Sequence, residues 1–214
     1  MTRILVVDDH PIVRKGLKEI LAKMSDTIVD EAANAVETMH KLKGNNYNLL
    51  LLDISFPDRS GIEILEEVKK QYPGLKIIMI SIHTEEEYAI RCFKLGAEGY
   101  ISKNDEIEEL ALAIRKVLSG GRFISSTISE ELPKYFKSSS EELPHKKLSN
   151  REFQVFLSIA SGNSIKETAN KLYLSEKTVS TYRTRILEKM NLKNNAGIIY
   201  YAIKNKLVKI DNSL

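Results

Sequence analysis

Two adjacent carboxylates, Asp8 and Asp9, close the apolar run of "ILVVDD". Like charges side by side repel, and both stay ionised only where something positive is held against them. Three further apolar runs end in reactive groups: "LLLLD" in Asp53, "IIMIS" in Ser81 and "GYISK" in Lys103. Clustered carboxylates suit a hard, oxygen-seeking cation, Mg²⁺ or similar, bound by few protein ligands and several waters. A carboxylate beside such an ion, an ammonium and a hydroxyl has the parts for phosphoryl transfer to itself. Asp53 would attack in line, Asp8 and Asp9 would hold the ion, and Lys103 and Ser81 would receive the phosphoryl oxygens. Each residue taken singly has an ordinary explanation as a cap, a turn or a solvated charge. Their recurrence at successive strand ends is what those explanations do not cover.

The elements that would bring them together alternate regularly. Strands are expected at Arg3–Asp8, Ile28–Ala32, Leu49–Asp53, Lys76–Ser81 and Gly99–Ser102, with amphipathic helical stretches between them. After the first strand, Val13, Leu17, Ile20, Leu21 and Met24 follow the spacing of a one-faced helix. The first, third and fourth strands are continuously apolar, as strands covered on both faces must be. The fold expected for residues 1–119 is therefore α/β, a doubly wound parallel five-stranded sheet. Ligands of such sheets bind outside the carboxyl ends of the strands, where these groups fall. No glycine-rich loop follows the first strand, which argues against a dinucleotide or P-loop site.

Residues 120–147, with Gly-Gly, Ser-Ser-Ser and two prolines, read as a linker with one short helix. Residues 148–214 read as all-α, with helices near 149–161, 165–172, 176–190 and 196–205. The second and third of these are joined by the tight turn "YLS", and Ser175 with Thr178 offers a cap, which is helix-turn-helix spacing. On the third, Val179, Ile186 and Met190 form an inward stripe. Lys177, Ser180, Thr181 and Thr184 share another face, flanked by Arg183, Arg185 and Lys189.

Charge divides along the same boundary. Residues 1–119 carry 16 Lys and Arg against 20 Asp and Glu, a net of −4, while residues 120–214 carry 16 against 9, a net of +7. Such asymmetry points to nucleic acid as the partner of the second half. The composition, 43% hydrophobic and 29% charged, is that of an ordinary globular chain. No apolar run approaches the roughly 20 residues of a membrane helix, so no membrane association is expected. Acids stand where a signal peptide would need its apolar stretch, so a cytoplasmic location is expected. The single cysteine, Cys92, rules out an internal disulfide and reads as a core thiol. His10 follows the acid pair, but Mg²⁺ prefers oxygen, so a helix-start role is expected for it. His40, His83 and His145 show no metal-binding spacing.

Here the motifs become specific. "ILVVDDHPIVRKGL", "LLLLDISFPDRSGIEIL", "IIMIS" and "LGAEGYISK" resemble, in order and spacing, the receiver domain of bacterial response regulators, a flavodoxin-like fold. The resemblance implies that Asp53 accepts phosphate from a sensor histidine kinase or a phosphorelay donor. It implies that Asp9 ligates Mg²⁺ directly, Asp8 largely through water, and that the backbone carbonyl of Ser55 completes the protein ligands. Ser81 and Lys103 would bind the phosphoryl group, and Tyr100 would be the switch aromatic that moves with Ser81. Phe56 stands where many relatives have methionine, and Ile82 is bulky where many have a small residue.

From "LSNREFQVFLSIASGNSIKETANKLYLSEKTVSTYRTRILEKM" onward the chain resembles the LuxR-type helix-turn-helix of the NarL/FixJ family. That implies double-stranded promoter DNA as ligand, with Ser180, Thr181 and Thr184 at base edges and Lys177, Arg183, Arg185 and Lys189 on phosphates. It also implies a homodimer in the active state, with RNA polymerase as a further partner. The function expected is a phosphorylation-controlled transcription regulator, not an enzyme. Two rival readings are an aspartyl-phosphate phosphatase, which would need a general acid where Ser55 stands, and a constitutive dimerisation platform, which would not need the acid triad.

Overall fold

The computed structural model describes residues 1–56, 59–81, 86–103, 106–124 and 143–208. The chain divides into two compact units, Met1–Tyr135 and Phe136–Leu214, taken separately below.

In the first unit the strands are β1 (Thr2–Val7), β2 (Thr27–Ala32), β3 (Leu49–Asp53), β4 (Lys76–Ser81), β5 (Gly99–Ser102) and β6 (Phe123–Ile124). Helices α1 (Pro11–Leu21), α2 (Ala35–Gly44), α3 (Gly61–Gln71), α4 (Glu86–Lys94) and α5 (Ile107–Leu118) connect them in turn. Every pairing is parallel, in the order β2-β1-β3-β4-β5-β6. The doubly wound α/β architecture is as expected, but the sheet has six strands rather than five. The sixth falls inside the stretch expected to be linker. Its two residues are too few to carry a period, and it is held by the main-chain bond from Phe123 to Glu98 and by burial of the Phe123 ring. The rest of that linker, 125–142, with the short helix expected there, lies outside the described residues.

Side chains alternate across a sheet with a period of two. Ile4, Val6, Leu49, Leu51, Ile78, Ile80 and Ile101 all point to one face, where they form a core with Leu21 of α1 and Leu110, Ala113, Ile114 and Val117 of α5. Continuing the same alternation, Asp8, Asp53 and Lys103 lie on that face at the carboxyl ends of β1, β3 and β5. Tyr100 and Ser81 belong to the opposite face. Cys92 is buried, and burial pushes its thiol pKa up, as for a core thiol.

The second unit begins with a 3₁₀ turn, Pro144–Lys147, followed by α6 (Asn150–Ala160), α7 (Ile165–Lys171), α8 (Glu176–Met190) and α9 (Asn195–Lys204). Helix starts are set locally. Ser149 with Glu152 and Ser164 with Glu167 form reciprocal capping boxes, and Ser175 accepts from the Thr178 amide. All four helices end in the left-handed region: α6 at Gly162, α7 at Tyr173, α8 at Asn191 and α9 at Lys206. At α7 the Tyr173 amide bonds to Asn170 and the Leu174 amide to Ala169, closing a tight turn on a residue whose Cβ disfavours it. That turn sets the angle between α7 and α8. The rings of Phe153 and Phe156 stack, the His145 ring is tilted against Phe153, and Tyr201 meets Phe156 and His145 edge-on. No helix among the described residues is long and apolar enough to cross a membrane.

Candidate functional site

The acid rim is assembled by the register of the central strands. Val7 pairs with Leu52 and Asp53 with Ile80, so the ends of β1, β3 and β4 are level. The amide of Lys103 donates to the Ser81 carbonyl at 2.7 Å, which fixes where the lysine leaves β5. Its ammonium then reaches Asp8 Oδ2 at 2.6 Å and Asp53 Oδ2 at 2.8 Å. Asp8 and Asp53 are 1% and 2% exposed, so this one cation sits between two carboxylates removed from water. Asp53 Oδ1 accepts the amide of Ile54 at 2.7 Å.

Burial pushes the Asp53 carboxyl up to about 6, aided by the charge of Asp8 and opposed by Lys103. Burial by itself would lower the Lys103 pKa, but Asp53 and Asp8 together raise it above its ordinary value. The rim thus holds a firmly charged ammonium beside a carboxylate poised for ionisation near neutral pH.

Asp8, Asp9, His10 and Asp53 each offer a ligand atom, all within 4.8 Å of one another. Asp8 Oδ2 and Asp9 Oδ1 are buried oxygens that accept no aligned hydrogen bond, although the Lys103 ammonium stands near the first and the His10 ring near the second. Buried carboxylate oxygens of this kind suit a hard divalent cation such as Mg²⁺. Ser55, half-buried, follows β3 by two residues, and Ser81 and Tyr100 are fully buried. Ile82 and His83 lie outside the described residues.

Three residues that position this rim have weak signals in sequence. Gly61 opens α3 directly beneath Asp53, and its amide donates to Ile54 O at 2.7 Å. A Cβ there would stand 1.8 Å from the Asp53 carbonyl oxygen, so only glycine allows α3 to begin so close to β3. Arg14 donates to the Asp8 carbonyl at 2.6 Å from one turn into α1. His10 is the third. It stands at the helix start as expected, as the N-cap of α1, but its side chain makes no capping bond. Its ring instead lies against Asp8 and Asp9.

In the second unit, Lys177, Ser180, Thr181, Thr184 and Arg185 are exposed along α8, whereas Val179, Ile186 and Met190 are buried. The hydroxyls of Thr181 and Thr184 donate back to the carbonyls of Lys177 and Ser180 at 2.9 and 3.1 Å. Their methyls and oxygen lone pairs remain for a ligand. Arg183 and Lys189 have partners within the unit: Arg183 Nε donates to Asn195, and Lys189 reaches buried Glu152 at 2.6 Å. Nothing in the sequence marks Glu152 and Arg151, because charged residues on a helix normally face water. Here Arg151 is buried and donates to the Leu172 carbonyl at 3.0 Å, clamping the turn before α8.

Residues 4–115 match the response regulator receiver domain, and residues 146–202 match the bacterial regulatory proteins of the luxR family. The oxygen regulatory protein NreC of Staphylococcus epidermidis is 35% identical over 97% of this chain and 99% of its own length. The response regulator UvrY of Escherichia coli is 34% identical over 97% of this chain and 96% of its own. Among solved structures, a complex of the two-component response regulator RcsB with DNA covers 94% of this chain and 98% of that one, at 25% identity and a TM-score of 0.61.

Proposed function

The chain belongs to the NarL/FixJ family of two-component response regulators, DNA-binding transcription regulators built from a receiver and a LuxR-type domain, and on that premise we propose that phosphoryl transfer to Asp53 controls how α8 meets promoter DNA. The donor is a sensor histidine kinase or a phosphorelay protein. A carboxylate oxygen of Asp53 attacks phosphorus while the phosphorus–nitrogen bond to the donor's imidazole breaks, leaving an acyl phosphate on Asp53. With its carboxyl pushed only to about 6, Asp53 is ionised and nucleophilic at neutral pH. Lys103 is already against the nucleophile and neutralises the oxygens that arrive with the phosphoryl group. The Ser81 hydroxyl bonds one of them, and Tyr100, which shares its sheet face, shifts with it as the switch. Asp8, Asp9, Asp53 and the Ser55 carbonyl would hold Mg²⁺, which would supply further positive charge at the same oxygens.

The observation that carries this reading is the ammonium of Lys103, 2.6 and 2.8 Å from two buried carboxylates. A static ion pair serving stability alone would not need two acids to one base. With Mg²⁺ and acetyl phosphate, the full chain gains one base-labile phosphoryl group at Asp53, and Asp53→Asn gains none. Unchanged labelling of the variant in mass spectrometry contradicts the assignment.

At the other end, α8 enters the major groove with Ser180, Thr181 and Thr184 at base edges. None of these short side chains can make the two-pronged contact with guanine that Arg makes, and the threonine methyls favour thymine. Lys177, Arg183, Arg185 and Lys189 hold phosphates, Arg183 and Lys189 by sharing or leaving Asn195 and Glu152. The phosphorylated form acts as a homodimer on paired half-sites in the cytoplasm, with RNA polymerase as a further partner.

A further inference from the structure

The turn between α7 and α8 carries a side chain that the fold itself does not use. We infer that Tyr173 is a further DNA contact, its phenolic hydroxyl donating to a phosphate oxygen beside the groove that α8 enters; this rests on the proposed reading of α8. Tyr173 has a φ of 53°, in the left-handed region, where a Cβ crowds the following carbonyl. The same conformation falls on Gly162 after α6 and on Asn191 after α8, residue types that tolerate it. The turn needs no tyrosine. Main-chain bonds close it, from the Tyr173 amide to Asn170 O at 3.3 Å and from the Leu174 amide to Ala169 O at 2.8 Å. Arg151 adds the bond to the Leu172 carbonyl at 3.0 Å, and a glycine at position 173 would satisfy all three.

Nor does the ring serve the core. Tyr173 is 52% exposed, whereas its neighbour Leu172 is 9% exposed, and its hydroxyl makes no hydrogen bond among the described residues. A strained conformation, held by its surroundings and carrying a side chain the fold does not use, is the pattern of a group that works on a ligand. Position names the ligand. The turn runs directly into the Ser175 cap and the first turn of α8, which bears Lys177. In helix-turn-helix docking that end of the recognition helix lies at the base edges, with the sugar-phosphate backbone alongside. Tyrosine is among the side chains that bond phosphate oxygens, and its apolar ring with a polar tip suits a surface that is half wet. Such a contact fixes the register of α8 and reads no base.

Its signature differs from that of the lysines. A neutral hydroxyl releases no counterion, so its loss lowers affinity without changing the salt dependence, whereas loss of Lys177 lowers both. A tyrosine that only held α8 at its angle would, on removal, disturb the cationic contacts and lower the salt slope as well.

The full chain, native and as Tyr173→Phe, Tyr173→Gly and Lys177→Ala, is titrated with Mg²⁺ and acetyl phosphate onto a selected two-half-site duplex and a random one over a salt series. Urea denaturation of each variant runs in parallel. Tyr173→Phe is expected to keep native stability and to lose about fivefold in affinity on both duplexes, the worth of one hydrogen bond, with the salt slope unchanged. Tyr173→Gly should lose at least as much affinity while its urea midpoint rises, because the backbone strain is relieved. Native affinity or a reduced salt slope in Tyr173→Phe, or a lowered urea midpoint in Tyr173→Gly, overturns the inference. Where Lys177→Ala is weakened and Tyr173→Phe is not, the reading of α8 stands without Tyr173; where neither is weakened, both fall.

Discussion

The two units place their candidate functional side chains by opposite physical means. In the first, Asp8, Asp53, Ser81 and Tyr100 are buried; strand register fixes Asp53, Ser81 and Tyr100, and Asp8, just past β1, is held by its amide bond to the Ala32 carbonyl. In the second, Lys177, Ser180, Thr181, Thr184 and Arg185 project from one exposed helix face, and the buried residues beneath only aim the helix. A site made of buried charges depends on every member, because an unpaired charge out of water is expensive. A site made of exposed side chains is a sum of modest terms, and single losses are tolerated. Substitutions should therefore act steeply in the first unit and gradually in the second.

The largest effect is expected at Gly61. Gly61→Ala would drive a methyl into the Asp53 carbonyl and force α3 off β3. A loss of about 3 kcal/mol in the stability of the first unit is expected, together with impaired phosphoryl acceptance at Asp53. Chemical denaturation with parallel acetyl phosphate labelling measures both, and native stability in the variant would mean that the close approach does not exist.

Glu152 tests the buried support of the second unit. Hydrogen bonds from Lys189 and Ser149 hold its carboxyl below the ordinary glutamate value, against the opposing effect of burial. Its folded-state pKa is depressed, so its stabilisation is present above the unfolded pKa and is lost as pH falls through the folded one. Glu152→Gln should cost about 1.5 kcal/mol at neutral pH and progressively less as the solution is acidified below the ordinary carboxylate range. Calorimetry of the full chain over that pH series checks it, and a difference that does not shrink in acid contradicts the pairing.

The exposed face should give the smallest effects, of two kinds. Thr184→Ala is expected to cost on the order of 1 kcal/mol at particular base pairs. Lys177→Ala should weaken all sequences alike and reduce the salt slope of binding by about 0.9. Titrations on selected and random duplexes separate them, and equal loss on both by Thr184→Ala would remove it from the base readers.

The same contrast explains what could be read from the sequence. Continuous apolar runs at Leu49–Leu52 and Ile77–Ile80 identify buried parallel strands, and a charge that ends such a run has nowhere to go but the rim. Asp53 and Lys103 were legible for that reason. The strand Phe123–Ile124 was not, because two residues carry no period. Gly61 stood in plain view, but its necessity comes from a carbonyl on another element. His10 sits at a position whose usual work is capping, and nothing local says that its ring turns to Asp8 and Asp9. Arg151 and Glu152 follow the pattern of solvated helix residues, and only tertiary packing makes them internal partners of Leu172 and Lys189. Local rules succeed where an element decides its own residues and fail where a distant one does.

The central claim is that a phosphoryl group on Asp53 changes what α8 does, and one experiment reaches it directly. Native chain and Asp53→Asn, each with Mg²⁺ and with or without acetyl phosphate, are titrated onto a two-half-site duplex selected from random sequence. Acetyl phosphate is expected to tighten binding of the native chain by about tenfold or more, through a second contact made within the dimer, and to leave Asp53→Asn unchanged. Equal tightening of Asp53→Asn, or full labelling of Asp53 with no change in DNA affinity, would contradict it.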